Sequence, residues 1–132
     1  MAWVPWWADS NFLGTGHTAL RSPAARPEPY LTGRTSSETL FYQFFLPNGV
    51  YELKLRFVEV DPRPIPGLRV FNVRVNGELV LANFDPALAG GPAGLPSDQS
   101  LTVTNTQGQL VLAFEPVRGQ ALVQAIEIIP LQ

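Results

Sequence analysis

The amino-acid sequence predicts an all-β fold, a sandwich of two packed antiparallel sheets. After residue 39, apolar and polar residues alternate with a period of two, as they do along strands with one buried face. The 132 residues include 13 prolines and 11 glycines, which interrupt the alternation at short intervals. Many short strands separated by such turns are typical of a sandwich.

Seven strands are expected in this part of the chain. The alternation is most regular from Tyr51 to Phe57, where odd positions are apolar and even positions are charged. Asn76 and Gly77 form the strongest hairpin signal. The final segment contains Ala, Leu and Gln that would suit a helix, but its β-branched residues and Pro130 favour a strand. The predicted strands cover residues 40–46, 50–59, 69–75, 79–84, 101–105, 110–115 and 121–129.

The alternation also assigns side chains to the core. A one-residue slip of register would turn all of these side chains toward solvent, so their burial tests the assignment. No helix longer than about two turns is expected after residue 39. The predicted inward residues are Leu53, Leu55, Phe57, Phe71, Val73, Leu112, Phe114 and Ile126.

The remaining segments carry weaker signals. Residues 1–39 are predicted to be irregular with one or two strands, because Pro23, Pro27 and Pro29 break any helix. Residues 87–99 are rich in Ala, Gly and Pro and are expected to form a loop. Some thirty residues could not build a core of their own, so residues 1–132 are expected to form a single domain.

Composition excludes several classes of function. The net charge of −2 lacks the basic excess that nucleic acid or an anionic membrane requires, so neither is an expected partner. No apolar run is long enough to span a membrane. The absence of cysteine and the single histidine leave no zinc site or thiolate nucleophile, and no metal or cofactor is predicted.

Catalytic motifs are also missing. Residues 14–19 (GTGHTA) match a dinucleotide-binding pattern, but Pro23 leaves no room for the helix that must follow it, and a loop is the better interpretation. Glu59 and Asp61 could form the carboxylate pair of a glycosidase, or they could be a structural acid at a strand end followed by a proline-rich loop. No second signal supports catalysis, so the chain is not predicted to be an enzyme.

Glu59 has the parity of the buried residues before it, so its carboxylate should point toward the core side. A buried acid requires a partner. Glu59 either pairs with an arginine, for which Arg34 is the candidate, or lines a polar ligand pocket.

Three tryptophans, Trp3, Trp6 and Trp7, lie within the first seven residues. Indole rings can stack on sugar rings, and their N–H groups can donate hydrogen bonds to hydroxyls. A Trp-rich end segment can equally dock onto a sheet and close one end of a core. The sequence leaves both interpretations open.

Five segments resemble a known family. Residues 51–59 (YELKLRFVE), 69–77 (RVFNVRVNG) and 83–85 (NFD) follow one another as in the malectin and malectin-like domains. Residues 121–128 are similar to the closing strand of that family, and residues 30–34 (YLTGR) to its Y-Q-T-E-R segment. The resemblance implies a jelly-roll-like β-sandwich that binds carbohydrate through rim loops without catalysis.

The resemblance also guides the choice of site. Asp61 and Pro62 stand where malectins carry the aromatic residues that contact glucose rings, so diglucose binding does not transfer. A rim site is expected on the amino-terminal aromatics, Tyr30 and the loop at 61–67. The candidate carbohydrate-binding residues are Trp6, Tyr30, Arg34, Glu59 and Asp61.

These observations predict a noncatalytic, lectin-like carbohydrate-binding module whose partner is an oligosaccharide or polysaccharide. The first residues lack the features of a secretory signal, so either the protein stays inside the cell or the module was cut from a longer chain. The module is expected to work outside the cell or at its surface within such a chain, for example a bacterial secreted glycoside hydrolase. Other domains of that chain are possible partners. The alternative is a structural or protein–protein interaction domain that has lost sugar binding.

Overall fold

A computed structural model of the chain describes residues 12–13, 17–21 and 32–131. Its strands are β1 (Phe12–Leu13), β2 (His17–Arg21), β3 (Thr32–Ser36), β4 (Leu40–Phe45), β5 (Gly49–Arg56), β6 (Val70–Val75), β7 (Glu78–Phe84), β8 (Gln99–Asn105), β9 (Gln109–Arg118), β10 (Ala121–Val123) and β11 (Ala125–Leu131), and a short helix α1 (Pro86–Gly90) follows β7. No helix in the described ranges is long and apolar enough to cross a membrane.

The strands form an all-β sandwich, as the sequence predicts. One sheet has five strands in the order β1-β4-β9-β6-β7, and two smaller sheets have the orders β10-β3-β2 and β11-β5-β8. All pairings among the described strands are antiparallel. The core brings together apolar side chains from the five-stranded sheet and from both smaller sheets.

Gln124 explains why the second layer is two hydrogen-bonded sheets rather than the one expected. It separates β10, which pairs with β3, from β11, which pairs with β5. The side chain is fully buried, and its amide pairs with the backbone of Val58: Nε2 donates to the Val58 carbonyl and Oε1 accepts from the Val58 N–H, both at 2.9 Å. A side chain therefore replaces the ladder here, and β5 ends at Arg56 instead of residue 59.

The predicted core is confirmed, since every residue in the inward set is buried. Phe57 is its centre, with ring centroids 5.5 Å from Phe71, 4.7 Å from Phe84 and 6.4 Å from Phe114. Such tilted and edge-on contacts are favourable arrangements of aromatic rings.

The seven predicted strands are all present, and the differences lie elsewhere. Among the described residues, three short strands precede residue 40, where one or two were expected, because segments rich in Thr, Gly and Ser carry no clear alternation. The last three residues of the rejected dinucleotide pattern, 17–19, belong to strand β2 and not to a loop. The expected loop at 87–99 begins within α1, whose N-terminus is capped by Asp85.

Candidate binding cleft

A cleft of about 240 Å³ opens at one end of the sandwich. Three chain segments meet there: the loop after β5, the residues just before β6, and the connection between β9 and β10. The pairing of Val70 with Arg118 holds the second and third segments side by side. The lining residues are Glu59, Asp61, Ile65, Leu68, Arg69, Gly119 and Gln120.

Glu59 is a buried carboxylate with a complete set of partners. Its Oε1 lies 2.8 Å from Nε of Arg69, and its side chain is only 4% exposed. Its Oε2 accepts hydrogen bonds from the backbone N–H groups of Val60 and Asp61 at 2.9 and 3.1 Å. Both oxygens therefore hold the protein together, one by fixing the arginine and the other by shaping the loop that follows.

Arg69 extends this network to the opposite wall. Its Nη1 donates to the Gln120 carbonyl at 3.0 Å and lies 3.4 Å from the Thr35 hydroxyl. The Thr35 hydroxyl in turn lies 2.9 Å from Oε1 of Gln120. Strand β3, the start of β6 and the β9–β10 connection are thus fixed relative to one another around one ion pair.

Several polar groups of the cleft remain available to a ligand. Oδ1 of Asp61 accepts from the Arg63 N–H at 2.9 Å, but Oδ2 has no hydrogen-bond partner among the described residues. The same is true of Nη2 of Arg69 and Nε2 of Gln120. The cleft therefore offers one charged acceptor and two donors.

The other component of the lining is aliphatic. Ile65 and Leu68 are 53% and 60% exposed, although both are large apolar side chains. No aromatic side chain of the described residues lines this cleft. Apolar surface beside hydrogen-bonding groups is the usual composition of a small-molecule site.

The loop carrying these two residues is anchored at its far end. The Gly67 N–H donates to Oδ2 of Asp85 at 2.6 Å, while Oδ1 of the same carboxylate accepts from Ala87 and Leu88 at the start of α1. Gly119 has a φ of 64°, and a Cβ there would lie 2.4 Å from the Leu68 carbonyl oxygen. The cleft geometry thus depends on close backbone packing that only glycine permits.

The structure places only some of the predicted site residues in the cleft. Glu59 and Asp61 lie together in the cleft. Arg34 is buried in β3 opposite Val123 and is not among the residues that line the cleft; the arginine partner of Glu59 is Arg69, so the proposed pair was wrong. Trp6 and Tyr30 lie outside the described residues.

Arg69 is the residue that the sequence reasoning missed. It lies two positions before Phe71, with the same parity as the buried side chains of β6, so the alternation that revealed Glu59 also pointed Arg69 inward. Among the described aromatic residues, Tyr42 offers no surface for stacking on a sugar ring, because it is buried edge-on against Phe114 with ring centroids 6.0 Å apart.

The geometry does not support Glu59 and Asp61 as a catalytic pair. Glu59 is neutralised by Arg69 and holds two backbone N–H groups, whereas a catalytic carboxylate must reach the reacting bond. Within the described ranges, no group of three potential metal-ligating side chains comes together. The cleft has the features of a binding site.

The chain belongs to the malectin domain family, whose model matches residues 12–131. Over 94 residues it is 32% identical to a protein described as a probable LRR receptor-like serine/threonine-protein kinase from Arabidopsis thaliana. That match covers 67% of this chain and 9% of the kinase. The domain is therefore of the malectin-like, carbohydrate-binding type.

Solved structures share the fold. The plant receptor-like kinase FER superimposes with a TM-score of 0.77 at 18% identity, over 94% of this chain and 35% of the other. The extracellular domain of ANXUR2 from Arabidopsis thaliana gives 0.76 at 18% identity, over 92% and 41% of the two chains. A β-glucuronidase from Bacteroides uniformis gives 0.72 at 19% identity, over 98% and 15%. The chain thus corresponds to a part of each of these proteins.

Proposed function

We propose that this domain is a noncatalytic carbohydrate-binding module that holds a short stretch of an oligosaccharide or polysaccharide in the cleft at Glu59 and Asp61. The observation that carries the proposal is the set of unpaired groups around that cleft: Oδ2 of Asp61, Nη2 of Arg69 and Nε2 of Gln120. Sugar hydroxyls both donate and accept hydrogen bonds, so such a mixed set suits them.

The ligand contacts have distinct roles. Asp61 accepts from ligand hydroxyls, Arg69 and Gln120 donate to ligand oxygens, and Ile65 and Leu68 cover the C–H face of a sugar ring. Glu59 contacts the ligand least, because it positions Arg69 and the 60–61 backbone. With aliphatic rather than aromatic packing on this wall, dissociation constants on the order of 10 µM to 1 mM are expected.

Affinity electrophoresis against soluble glucan, xylan, mannan and galactan tests the proposal. The wild-type domain should be retarded by at least one polymer, and Asp61→Ala should remove the contribution of the charged acceptor. Glu38→Ala is the matched control, because Glu38 is an exposed acid that does not line the cleft. Unretarded migration of the wild type with every polymer would contradict carbohydrate binding.

A second candidate function is protein recognition. It is favoured by the exposure of Ile65 and Leu68, and by one structural neighbour, solved as the plant peptide RALF23 in complex with FER and LLG2. A peptide partner would depend on the aliphatic wall more than on Asp61. Binding that is lost in Leu68→Ser but retained in Asp61→Ala would favour this function.

The setting of the domain is part of the proposal. Because related domains form parts of receptor ectodomains and of a glycosidase, this domain acts outside the cell or at its surface, as an accessory domain of a larger protein. A bacterial secreted enzyme is one such parent.

A further inference from the structure

A second cleft, of about 300 Å³, lies between the edges of the two layers. One wall is β7 with the Asn76–Gly77 turn, and the other is β8 with the residues that follow it. Among the described strands, β7 pairs only with β6 and β8 only with β5, so each ends its sheet. The two edges leave a groove that the strand ladders do not fill.

We propose that this second cleft binds a neutral, polyhydroxylated ligand, such as one or two units of a saccharide, independently of the cleft at Asp61. The site does not require the first cleft to be occupied. Its volume is at the lower end of the range for small-molecule pockets, about 300 Å³ and above.

Apart from Asn76, the polar side chains that line the second cleft are exposed and free of protein partners among the described residues. The hydroxyls of Thr102, Thr104 and Thr106, the amide of Gln107 and the carboxylate of Glu78 make no side-chain hydrogen bond or ion pair with a described residue. The hydroxyls and the amide can each donate and accept, and a carboxylate can accept from two neighbouring hydroxyls at once.

The apolar part of the cleft consists of valines. Val75 and Val103 are buried members of the core, and Val80 packs against it, so these three side chains give the groove an apolar surface. Sugar rings combine C–H faces with hydroxyl edges, and a lining that includes both valines and residues with hydroxyl or amide groups can contact both.

The charges of the lining select against other ligands. Among the described residues, the lining contains no lysine or arginine, so phosphate, sulfate or uronate groups would meet only the carboxylate of Glu78. A single carboxylate is too little charge for a calcium site, which usually has several. A neutral ligand with many hydroxyls remains the class that the side chains can satisfy.

Hydrogen bonds between asparagine side chains and backbone groups hold both walls in place before a ligand arrives. Asn76 has a φ of 50°, its Nδ2 donates to the Gln109 carbonyl at 3.1 Å, and its Oδ1 accepts from the Val111 N–H at 2.8 Å. On the other wall, Nδ2 of the buried Asn105 donates to the Leu46 carbonyl at 3.0 Å. A preformed site loses less entropy when it binds.

The two clefts lie at opposite ends of β6. Arg69 precedes the strand in the first cleft, and Asn76 follows it in the second. Six residues of strand span about 20 Å at roughly 3.3 Å each. A short oligosaccharide should therefore bind twice, whereas a long polymer can engage one or both sites of the same molecule.

Calorimetric titration with a trisaccharide derived from a neutral polymer that retards the domain measures the number of sites, because a trisaccharide is too short to bridge the two clefts. The double substitution Thr104→Val and Gln107→Ala should reduce the stoichiometry from two ligands per domain to one. Asp61→Ala should also reduce it to one, because it removes the other site. Valine keeps the shape and β-propensity of threonine, and Ser100→Ala is the control, since Ser100 is an exposed hydroxyl on β8 outside the cleft. Thermal melts show whether each variant is folded.

The outcomes separate the two sites. A stoichiometry of one in the wild type, lost in Asp61→Ala, overturns the second site and supports the first. A stoichiometry of one that persists in Asp61→Ala but disappears in the Thr104 and Gln107 variant supports the second site and overturns the first. Titration followed by NMR gives an independent readout, because the side-chain amide signals of Gln107 should shift with saturation; unmoved signals overturn the second site whatever the calorimetry shows.

Discussion

The guanidinium of Arg69 and the carboxylate of Glu59 meet across the two layers of the sandwich, with Nε and Oε1 2.8 Å apart. Glu59 follows β5 of a three-stranded sheet, and Arg69 precedes β6 of the five-stranded sheet. The arginine side chain is 17% exposed and the glutamate 4%. One ion pair therefore closes this end of the core and forms part of the binding cleft.

Replacing Arg69 with methionine should lower the free energy of unfolding by roughly 3 to 5 kcal/mol, since it leaves a buried carboxylate without its counter-charge. Urea denaturation measures the loss. Arg74→Met is the matched control, because the Arg74–Glu115 pair has the same 2.8 Å separation but side chains 37% and 35% exposed, and should cost about 0 to 1 kcal/mol. Equal losses in the two variants would show that burial of Glu59 is not what makes its pair important.

Replacing Gln124 with methionine should cost roughly 2 to 6 kcal/mol. The change leaves both backbone groups of Val58 unsatisfied in the core, at about 1 to 3 kcal/mol for each. Gln124→Glu retains an oxygen acceptor while removing the donor, and the carboxylate would be buried, so it should also destabilise the domain. Chemical denaturation checks both variants; a methionine variant as stable as the wild type would show that the amide clamp is dispensable.

Alanine at Gly119 should damage both stability and ligand binding, because its Cβ would collide with the Leu68 carbonyl oxygen at the wall of the cleft. The substitution Gly108→Ala separates the effect of the collision from the effect of the backbone strain. It has a similar φ, 69° against 64°, but a Cβ at this position would meet no atom within 4 Å, so Gly108→Ala should show only the left-handed backbone strain of about 1 to 2 kcal/mol. Melting temperatures and gel retardation measure the two effects. Normal retardation of Gly119→Ala would mean that the Leu68 contact does not shape the cleft.

Asp85→Asn should release the loop that carries Ile65 and Leu68 while keeping the cap of α1. Asparagine is as good an N-cap as aspartate, but its amide nitrogen in the position of Oδ2 would face the Gly67 N–H, donor against donor. Hydrogen exchange at the Gly67 amide should become faster, and Asp85→Ala should lose a further 1 kcal/mol or so of cap stability. Unchanged exchange at Gly67 in the asparagine variant would contradict the role of this contact.

The alternation of residues accounts for most of the fold after residue 39. It identified the strands around Tyr51 and Phe71 because buried residues alternate there with partly exposed ones. It could not show that Gln124 divides the last segment, since that break depends on a side-chain contact with Val58, far away in the sequence. Hydrogen bonds formed only in the folded state leave no periodic signal.

The candidate site, like the fold, could be predicted where the alternation of residues is regular. Parity placed Glu59 inward, as observed, and Asp61 in the predicted proline-rich loop lines the same cleft. Parity gives the direction of a side chain but not the distance between two strands, so it could not identify Arg69 as the partner of Glu59. Leu68 and Gln120 reach the cleft from irregular segments, whose paths the sequence does not specify.

Gln124 also has a consequence for how the chain reaches its native state. The short segment around it supplies edge strands to two sheets, with Val123 opposite Arg34 and Leu131 opposite Val50. Partners so distant in the chain meet slowly, so folding on the scale of milliseconds to seconds is expected. During synthesis, β3 and β5 remain without these partners until the segment has left the ribosome, and their open edges can meanwhile pair with another chain. The late arrival of this one short segment therefore sets the moment at which the sandwich can close.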